Sequence, residues 1–435
     1  MLIRFEVENF RSLAHETELS MVAVDSDRDE AVKFDLLGHS LLKVAGIYGP
    51  NASGKSNVLA ALAWLRDAVS MSLRYWDDGI PYDPFAFGTG PSTPSRFTLE
   101  MTVDGVRFEY TLEVDSEKVI REELYHYPKK VRRKVFERDG KELSFQRGLG
   151  KLSGTKELLT DKTLVLSIAP RFEEPLVSSF ARQVRNIVLL GPIPLSQRRT
   201  GYGHRAPYRF SQVSTARWFD DSLQSRTQPT LFESEASLLE EYQSDRAKAL
   251  SLLRLADLGI DDVRIDEEEV QLPHSTKTTI MRNLRLVHKT SSNSAPLDYD
   301  DESRGTKTWF EIIGPTLDAL TRGSIVVFDE LDAGLHPTLS AELVRLFHNS
   351  DINSLGAQLL FTSHDTSLLN HLNRDEVWFT DKGSDGVTVL GSLAEFAGER
   401  VRTSQNLERG YLHGRFGALP QINQLELLQA LGLVG

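Results

Sequence analysis

The sequence predicts an α/β protein: a mixed sheet with flanking helices around a phosphate-binding loop, joined by an antiparallel β region and carrying an inserted, mainly helical domain. Three observations predict it. An apolar run from Leu41 to Tyr48 stops at Gly49-Pro50, and a helical spacing of apolar residues follows from about Lys55 to Leu73. Two more apolar runs, Ser324 to Phe328 and Gln358 to Thr362, end in Asp329-Glu330 and in Ser363-His364-Asp365, as strands do at the carboxyl rim where open α/β sheets place ligands. Between these halves, alternating residues on either side of Asp104-Gly105 mark antiparallel strands joined by a tight turn.

The 435 residues suffice for two or three domains, and 40% hydrophobic with 26% charged residues describes an ordinary globular chain. The net charge of −12 supplies no global positive field for nucleic acid or an anionic membrane, so any such contact must come from a local patch. The absence of cysteine excludes disulfides, thiol nucleophiles, iron–sulfur clusters and cysteine-based zinc sites, and suits a reducing cytoplasm. No apolar run approaches the ~20 residues of a membrane span, and the alternating start Met1-Leu2-Ile3-Arg4-Phe5-Glu6-Val7 reads as a strand rather than a secretion signal.

Along the chain, Leu2, Phe5, Val7 and Phe10 open a hairpin, the stretch 80–95 is a proline- and glycine-rich connection, and 96–146 is the antiparallel region. From 150 to 260 the pattern turns mostly helical, with a polar interruption at 195–230 and an amphipathic helix marked by Leu238, Leu239, Tyr242, Leu250, Leu253 and Leu258, ended by Gly259. Strands return after Met281, then a helix after Ser303. The chain so divides into 1–150, with phosphate loop and antiparallel strands; 151–280, the mainly helical insertion; and 281–435, with the two later rim strands and a tail.

Gly49-Pro50-Asn51-Ala52-Ser53-Gly54-Lys55-Ser56 satisfies G-x-x-x-x-G-K-[ST] between a predicted strand and helix. Glycines permit a tight loop whose amides converge on phosphate oxygens, Lys55 places a point charge on β- and γ-phosphates, and Ser56 can ligate Mg²⁺, with Asn57 next along the helix. Beside such a loop Asp329 can hold Mg²⁺ and Glu330 can polarise an attacking water, while His364 can contact the γ-phosphate. No histidine set has zinc spacing.

Together these pieces resemble the ABC-type P-loop ATPase heads of the structural-maintenance-of-chromosomes, RecF and OLD families, through Gly49 to Ser56, Phe328-Asp329-Glu330, Asp332-Ala333-Gly334-Leu335-His336-Pro337 and Thr362-Ser363-His364-Asp365. The resemblance implies that Asp332 is a D-loop aspartate and His364 a switch histidine. It also implies that a signature serine from a second subunit closes over ATP, and Glu302-Ser303-Arg304-Gly305-Thr306-Lys307 is the matching stretch, with Ser303 and Gly305 as nucleotide contacts; a plain helix cap is the other reading of Ser303. No glutamine in 80–95 answers to the family's Q-loop.

Phe10-Arg11-Ser12, Ala256-Asp257-Leu258-Gly259-Ile260 and Gly410-Tyr411-Leu412-His413-Gly414-Arg415-Phe416-Gly417-Ala418-Leu419-Pro420 extend the resemblance to stand-alone bacterial AAA-type ATPases of the AbiL/RloA kind, relatives of the Septu and PARIS ATPase subunits. That implies a cytoplasmic, Mg²⁺-dependent and slow ATPase. It would act as an ATP-switched sensor in antiphage defence of the abortive-infection type, as a homodimer or higher homo-oligomer controlling a separately encoded nuclease or toxin. A RecF- or SMC-like clamp in DNA repair is the alternative, and a scaffold that binds ATP without hydrolysing it a third. Two basic patches bear on the choice: Lys129, Lys130, Arg132, Arg133, Lys134 and Arg138 with Tyr125, Tyr127 and Phe136, and Arg198, Arg199, Arg205 and Arg209 with Tyr202, Tyr208 and Phe210. Either can bind nucleic acid, dock an acidic partner, or be solvated and paired with carboxylates.

Overall fold

A computed structural model describes residues 1–34, 38–77, 79–149, 152, 154–172, 174–193, 215–220, 235–271, 278–397, 407–413 and 415. One layer is a six-stranded sheet formed by β5 (Val44–Tyr48), β11 (Val188–Leu190), β15 (Ile325–Phe328), β16 (Gln358–Thr362), β17 (Val377–Lys382) and β18 (Thr388–Ser392), in the order β11-β15-β16-β5-β17-β18. All neighbours are parallel except β17 and β18, which form a hairpin. Strands β5, β15 and β16 are buried at every residue, which is why they read as unbroken apolar runs instead of alternating ones.

The second layer is the antiparallel region: β1 (Leu2–Glu8), β2 (Thr17–Ser20), β6 (Ser95–Val103), β7 (Val106–Val114), β8 (Val119–Tyr127), β9 (Arg133–Asp139) and β10 (Glu142–Phe145), in the order β10-β9-β8-β7-β6-β1-β2. The expected turn joins β6 to β7 through Asp104 at φ 50° and Gly105 at φ 75°, both left-handed as such a hairpin requires. A small pair, β3 (Val32–Phe34) and β4 (His39–Leu41), and a three-stranded sheet of β12 (Ile260–Gln271), β13 (Thr278–Lys289) and β14 (Ser294–Asp298) complete the strands of the described residues.

Helix α1 (Lys55–Tyr75) is apolar nearly all round because it lies between the two main sheets: Val58, Leu62, Leu65 and Val69 share one core with Phe97, Leu99 and Tyr110 of the antiparallel sheet and with Ala45, Ile47 and Leu360 of the other. Helix α2 (Pro175–Arg185) adds Val177, Phe180 and Val184 to this core. On the far face of the parallel sheet, α3 (Glu235–Ala256), α4 (Arg304–Arg322) and α5 (Pro337–His348) supply Leu253, Trp309, Phe310, Ile313, Leu343 and Phe347 to a second core with Tyr48, Phe328 and Phe361. Buried Gln358 ties the layers, accepting from Leu2 N and donating to Leu2 O at 3.0 Å and Leu42 O at 2.8 Å.

Inside 151–280, α2 packs into the first core and β11 is the outer strand of the parallel sheet, while β12 and the start of β13 are extended. Two details differ from the sequence reading. Leu258 lies beyond the end of α3 and is 91% exposed, so it is not part of that helix's apolar face. Arg138 is not a surface cation at all: it is 1% exposed, faces Glu122 at 3.7 Å, and donates to Gly140 O at 2.8 Å and Thr160 O at 2.7 Å. Glu122 in turn accepts from Val165 N at 2.7 Å, Leu166 N at 3.1 Å and the Tyr110 hydroxyl at 3.0 Å. Burial pushes the Glu122 carboxyl up and Arg138 opposes that shift.

Removing one member of a buried pair leaves the other charge uncompensated. Glu122→Ala is therefore expected to cost about 3–5 kcal/mol of unfolding free energy, visible as a lowered midpoint in urea. A midpoint within error of the wild type would show that Arg138 is satisfied by its carbonyl partners alone.

Candidate functional site

The phosphate loop leaves β5 at Gly49, φ 150°, passes Ala52 at φ 63°, and enters α1 at Gly54, φ 102°. A Cβ on Gly49 would overlap Thr380 O and Oγ1, and one on Gly54 would overlap Thr388 Oγ1, so both close approach and left-handed φ demand glycine here. The loop is clamped from the β17–β18 hairpin: Ser53 Oγ and Thr380 Oγ1 lie 2.6 Å apart, and Thr388 Oγ1 donates to Ser53 O at 2.7 Å. From the other side, Ser12 Oγ accepts from Asn57 Nδ2 at 2.7 Å and lies 2.8 Å from Thr388 Oγ1. The Phe10-Arg11-Ser12 motif thus has a structural content: Phe10 packs edge-on against Phe97, Arg11 pairs with Asp83 at 3.3 Å, and Ser12 braces the loop.

Lys55 Nζ donates to Gly49 O at 2.9 Å and Pro50 O at 3.0 Å, curling over the loop. Burial lowers its ammonium pKa, opposed by Asp329, Asp332 and Glu330, so a dense negative field surrounds the lysine. Ser56 Oγ donates to Asp329 Oδ1 at 2.8 Å, and Thr362 Oγ1 donates to the same oxygen at 2.7 Å. Asp329 is 2% exposed, and its amide donates to Leu190 O at 3.0 Å. Thr362 Oγ1 also accepts from the Glu330 amide at 2.8 Å; Glu330 has a left-handed backbone, φ 54°, and lines the cavity. Asp332 Oδ1 accepts from His364 N at 3.1 Å and so fixes the end of β16, where the exposed His364 ring also lines the cavity.

The cavity over the loop measures about 890 Å³, within the usual range of ligand pockets. It brings together Asn51, Ala52, Gly54, Lys55, Ser56, Asn57, Glu330, Asp332 and His364 from the sequence-derived set. Gly49, Pro50 and Ser53 shape the loop from behind, and Asp329 stands beneath Ser56. Ser303 and Gly305 are not in it. Ser303 is exposed and caps α4, its Oγ accepting from Thr306 N at 3.1 Å, while Gly305 lies beside Gly334, on the loop that follows Asp332. Sequence reasoning assigned no role to some residues of the site. Thr362, as the first residue of Thr362-Ser363-His364-Asp365, carried a signal in its position; Thr380, Lys382 and Thr388 carried none, because only the β17 and β18 register brings them alongside the loop.

In the first basic patch, Arg132 pairs with Glu109 at 2.9 Å and Lys134 with Glu137 at 2.7 Å, Phe136 is buried, and Lys129, Lys130 and Arg133 are exposed. The second patch lies outside the described residues, as do residues 416–420 of the C-terminal motif. What is described of that motif docks behind the rim: Tyr411 stacks on Phe379 at 5.2 Å. Just before it, Glu408 accepts from Asn370 Nδ2 at 2.7 Å.

A family model described as "AAA domain, putative AbiEii toxin, Type IV TA system" matches residues 44–370. No curated protein matches the chain. Solved structures similar to it include an Smc head bound to the C-winged helix domain of ScpA, at 12% identity and TM-score 0.46, covering 90% of this chain and 97% of that one. The SMC head domain from Thermotoga maritima is 12% identical at TM-score 0.39, with 90% and 98% covered. An Smc head with an extended coiled coil, bound to the C-terminal domain of ScpA derived from Pyrococcus furiosus, is 14% identical at TM-score 0.43, with 91% and 97% covered.

Thr362 is the joint on which Asp329 and Glu330 both depend. Thr362→Val keeps the shape and removes the hydroxyl, unpairing the Glu330 amide. The expected cost is about 1–3 kcal/mol, read as a lower melting temperature that Thr362→Ser restores. A Thr362→Val protein melting with the wild type would remove the joint.

Proposed function

Because the chain belongs to the AAA domain family whose model spans its residues 44–370, we propose that it is a Mg²⁺-dependent ATPase sharing ATP between subunits, a switch that controls a separately encoded nuclease or toxin in antiphage defence. The observation that carries the ATPase reading is the gathering of Lys55, Ser56 with Asp329, Glu330 and His364 around one cavity at the carboxyl rim of a parallel sheet. The defence setting is supported by the family's own description, which names a toxin and a toxin–antitoxin system.

The residues present fit Mg²⁺. A hydroxyl and a carboxylate, Ser56 Oγ and Asp329, offer the hard oxygen donors this ion takes, and no cluster of three or more His, Cys, Asp or Glu among the described residues forms a protein cage. Mg²⁺ held there by Ser56 and Asp329 would supply positive charge to a bound phosphate. The remaining work falls to side chains. Lys55 exchanges its two loop carbonyls for phosphate oxygens. Glu330, held in place by the hydrogen bond its backbone amide donates to Thr362 Oγ1, takes the proton of the attacking water. His364, fixed by Asp332, bonds the γ-phosphate, and its loss on hydrolysis frees the ring.

Ser303 stands exposed at the start of a 19-residue helix and outside its own chain's cavity, which suits a role over the ATP of a second copy. ATP held between Lys55 of one subunit and Ser303 of the partner subunit makes assembly depend on nucleotide, and hydrolysis removes that dependence. A DNA clamp is the second reading, resting on Lys129, Lys130 and Arg133, which have no carboxylate partner among the described residues.

Light scattering on a size-exclusion column tests both halves. Glu330→Gln protein is expected to gain mass with Mg·ATP and to turn over about 10²-fold or more slowly, while Lys55→Ala binds no nucleotide and gains none. Wild-type turnover in Glu330→Gln removes Glu330 as base, and a mass indifferent to ATP removes the shared site.

A further inference from the structure

The hydrolytic residues occupy one wall of the cavity, delivered by β15 and β16. Across the phosphate loop, β17 is the neighbour of β5 on the other side, and its backbone is aligned with it through Trp378 opposite Ile47 and Phe379 opposite Tyr48. Where β5 stops and becomes the loop, β17 continues through Thr380 and Asp381 to Lys382, carrying the chain about 10 Å further past the rim at ~3.3 Å per residue.

Which face this extension presents follows from its partners. Lys382 is directly opposite Thr388 in the β17–β18 hairpin, and residues opposite one another in an antiparallel pair share a face. The Thr388 hydroxyl is on the loop, donating to Ser53 O at 2.7 Å, and Thr380, two residues before Lys382 and so on the same face, meets Ser53 Oγ at 2.6 Å. Thr380, Thr388 and Lys382 therefore look together at the phosphate loop, and Lys382 lines the cavity with Asn57. The β17–β18 hairpin that carries it is fixed against the loop by two hydroxyl contacts, one from each strand, unlike the setting of an ordinary surface lysine. Lys382 has no ion-pair partner among the described residues.

The charge layout gives a direction. Glu330, Asp332 and His364 lie on the β15–β16 wall and Lys55 over the middle, so a triphosphate with its terminal group at Glu330 runs back across the loop toward Asn57 and Lys382. We propose that Lys382 is a nucleotide-binding residue whose ammonium holds the α-phosphate, clamping the nucleoside end of the ligand from the wall opposite the hydrolytic residues. This rests on the ATPase reading above, and extends it to the ligand's other end. The α-phosphate is present in ATP and ADP alike, so Lys382 grips the nucleotide before and after hydrolysis, whereas His364 contacts only the group that leaves.

Calorimetric titration of ATP and of ADP, with steady-state turnover, tests it. Lys382→Ala is expected to weaken both nucleotides about tenfold, the size of one lost charge-assisted contact, and Lys382→Glu to weaken them further. Lys382→Arg keeps binding near the wild type. The loss falls on Kd and KM, with kcat retained at saturation. Wild-type affinity in Lys382→Glu, or a fall in kcat with KM unmoved, overturns the assignment. The reading beneath it is checked in the same titrations: wild-type protein that binds neither nucleotide, or binds them no better than Lys55→Ala does, overturns the ATP site itself and Lys382 with it.

Discussion

The Asp329 carboxylate, buried at the end of β15, is the interaction on which the site depends. A carboxylate taken out of water is costly unless donors surround it, and here one oxygen accepts from Ser56 of α1 and from Thr362 of β16. Those partners are 273 and 33 residues away in sequence. Satisfying one buried charge therefore fixes the helix after the phosphate loop against two neighbouring strands. Thr362 then passes the constraint on through the Glu330 amide, and Asp332 repeats the device one turn later by accepting from His364 N. The negative charge gathered for this purpose also surrounds Lys55, which holds its ammonium against the loop carbonyls in a place a phosphate can take over.

The parts visible in the sequence were those whose cause is local. Strands β5, β15 and β16 are buried on both faces, so each is a continuous apolar run with its chemistry placed immediately after its last residue. The loop glycines and Lys55 are fixed by spacing alone. The hairpin wall was not legible, because Thr380, Lys382 and Thr388 acquire meaning only from contacts more than 300 residues away, such as Thr388 with Ser53. Arg138 was misread for a different reason. Between Leu124 paired with Phe136 and Tyr125 paired with Lys134, the β8–β9 register slips, and Val135 is the extra residue. One such bulge reverses the parity of a strand. Lys134 consequently sits half-buried beside Glu137 while Phe136 and Arg138, two and four positions on, turn into the core.

The position of Ser303 links the site to what lies beyond one chain. Its hydroxyl closes the first turn of α4, and Glu302 beside it is held by His288 Nε2 at 2.7 Å, which ties the turn to the β12–β14 sheet. Trp309 Nε1 donates to Leu252 O at 2.7 Å, tying α4 to α3 as well. The turn carrying Ser303 thus touches the β12–β14 sheet on one side, and on the other it abuts Gly334 on the loop whose Asp332 holds His364. On the other side of the rim, Glu408 and Tyr411 sit behind the His364 turn and the end of β17. In the proposed switch, a change at the γ-phosphate would meet two sets of contacts: Asp332 and Gly334 toward Ser303 and the β12–β14 sheet, and the turn after His364 toward the C-terminal segment. Both consist of packed or hydrogen-bonded contacts already present in a single chain. A partner bound at either set would therefore sense nucleotide state only to the extent that it binds the two arrangements of those contacts unequally.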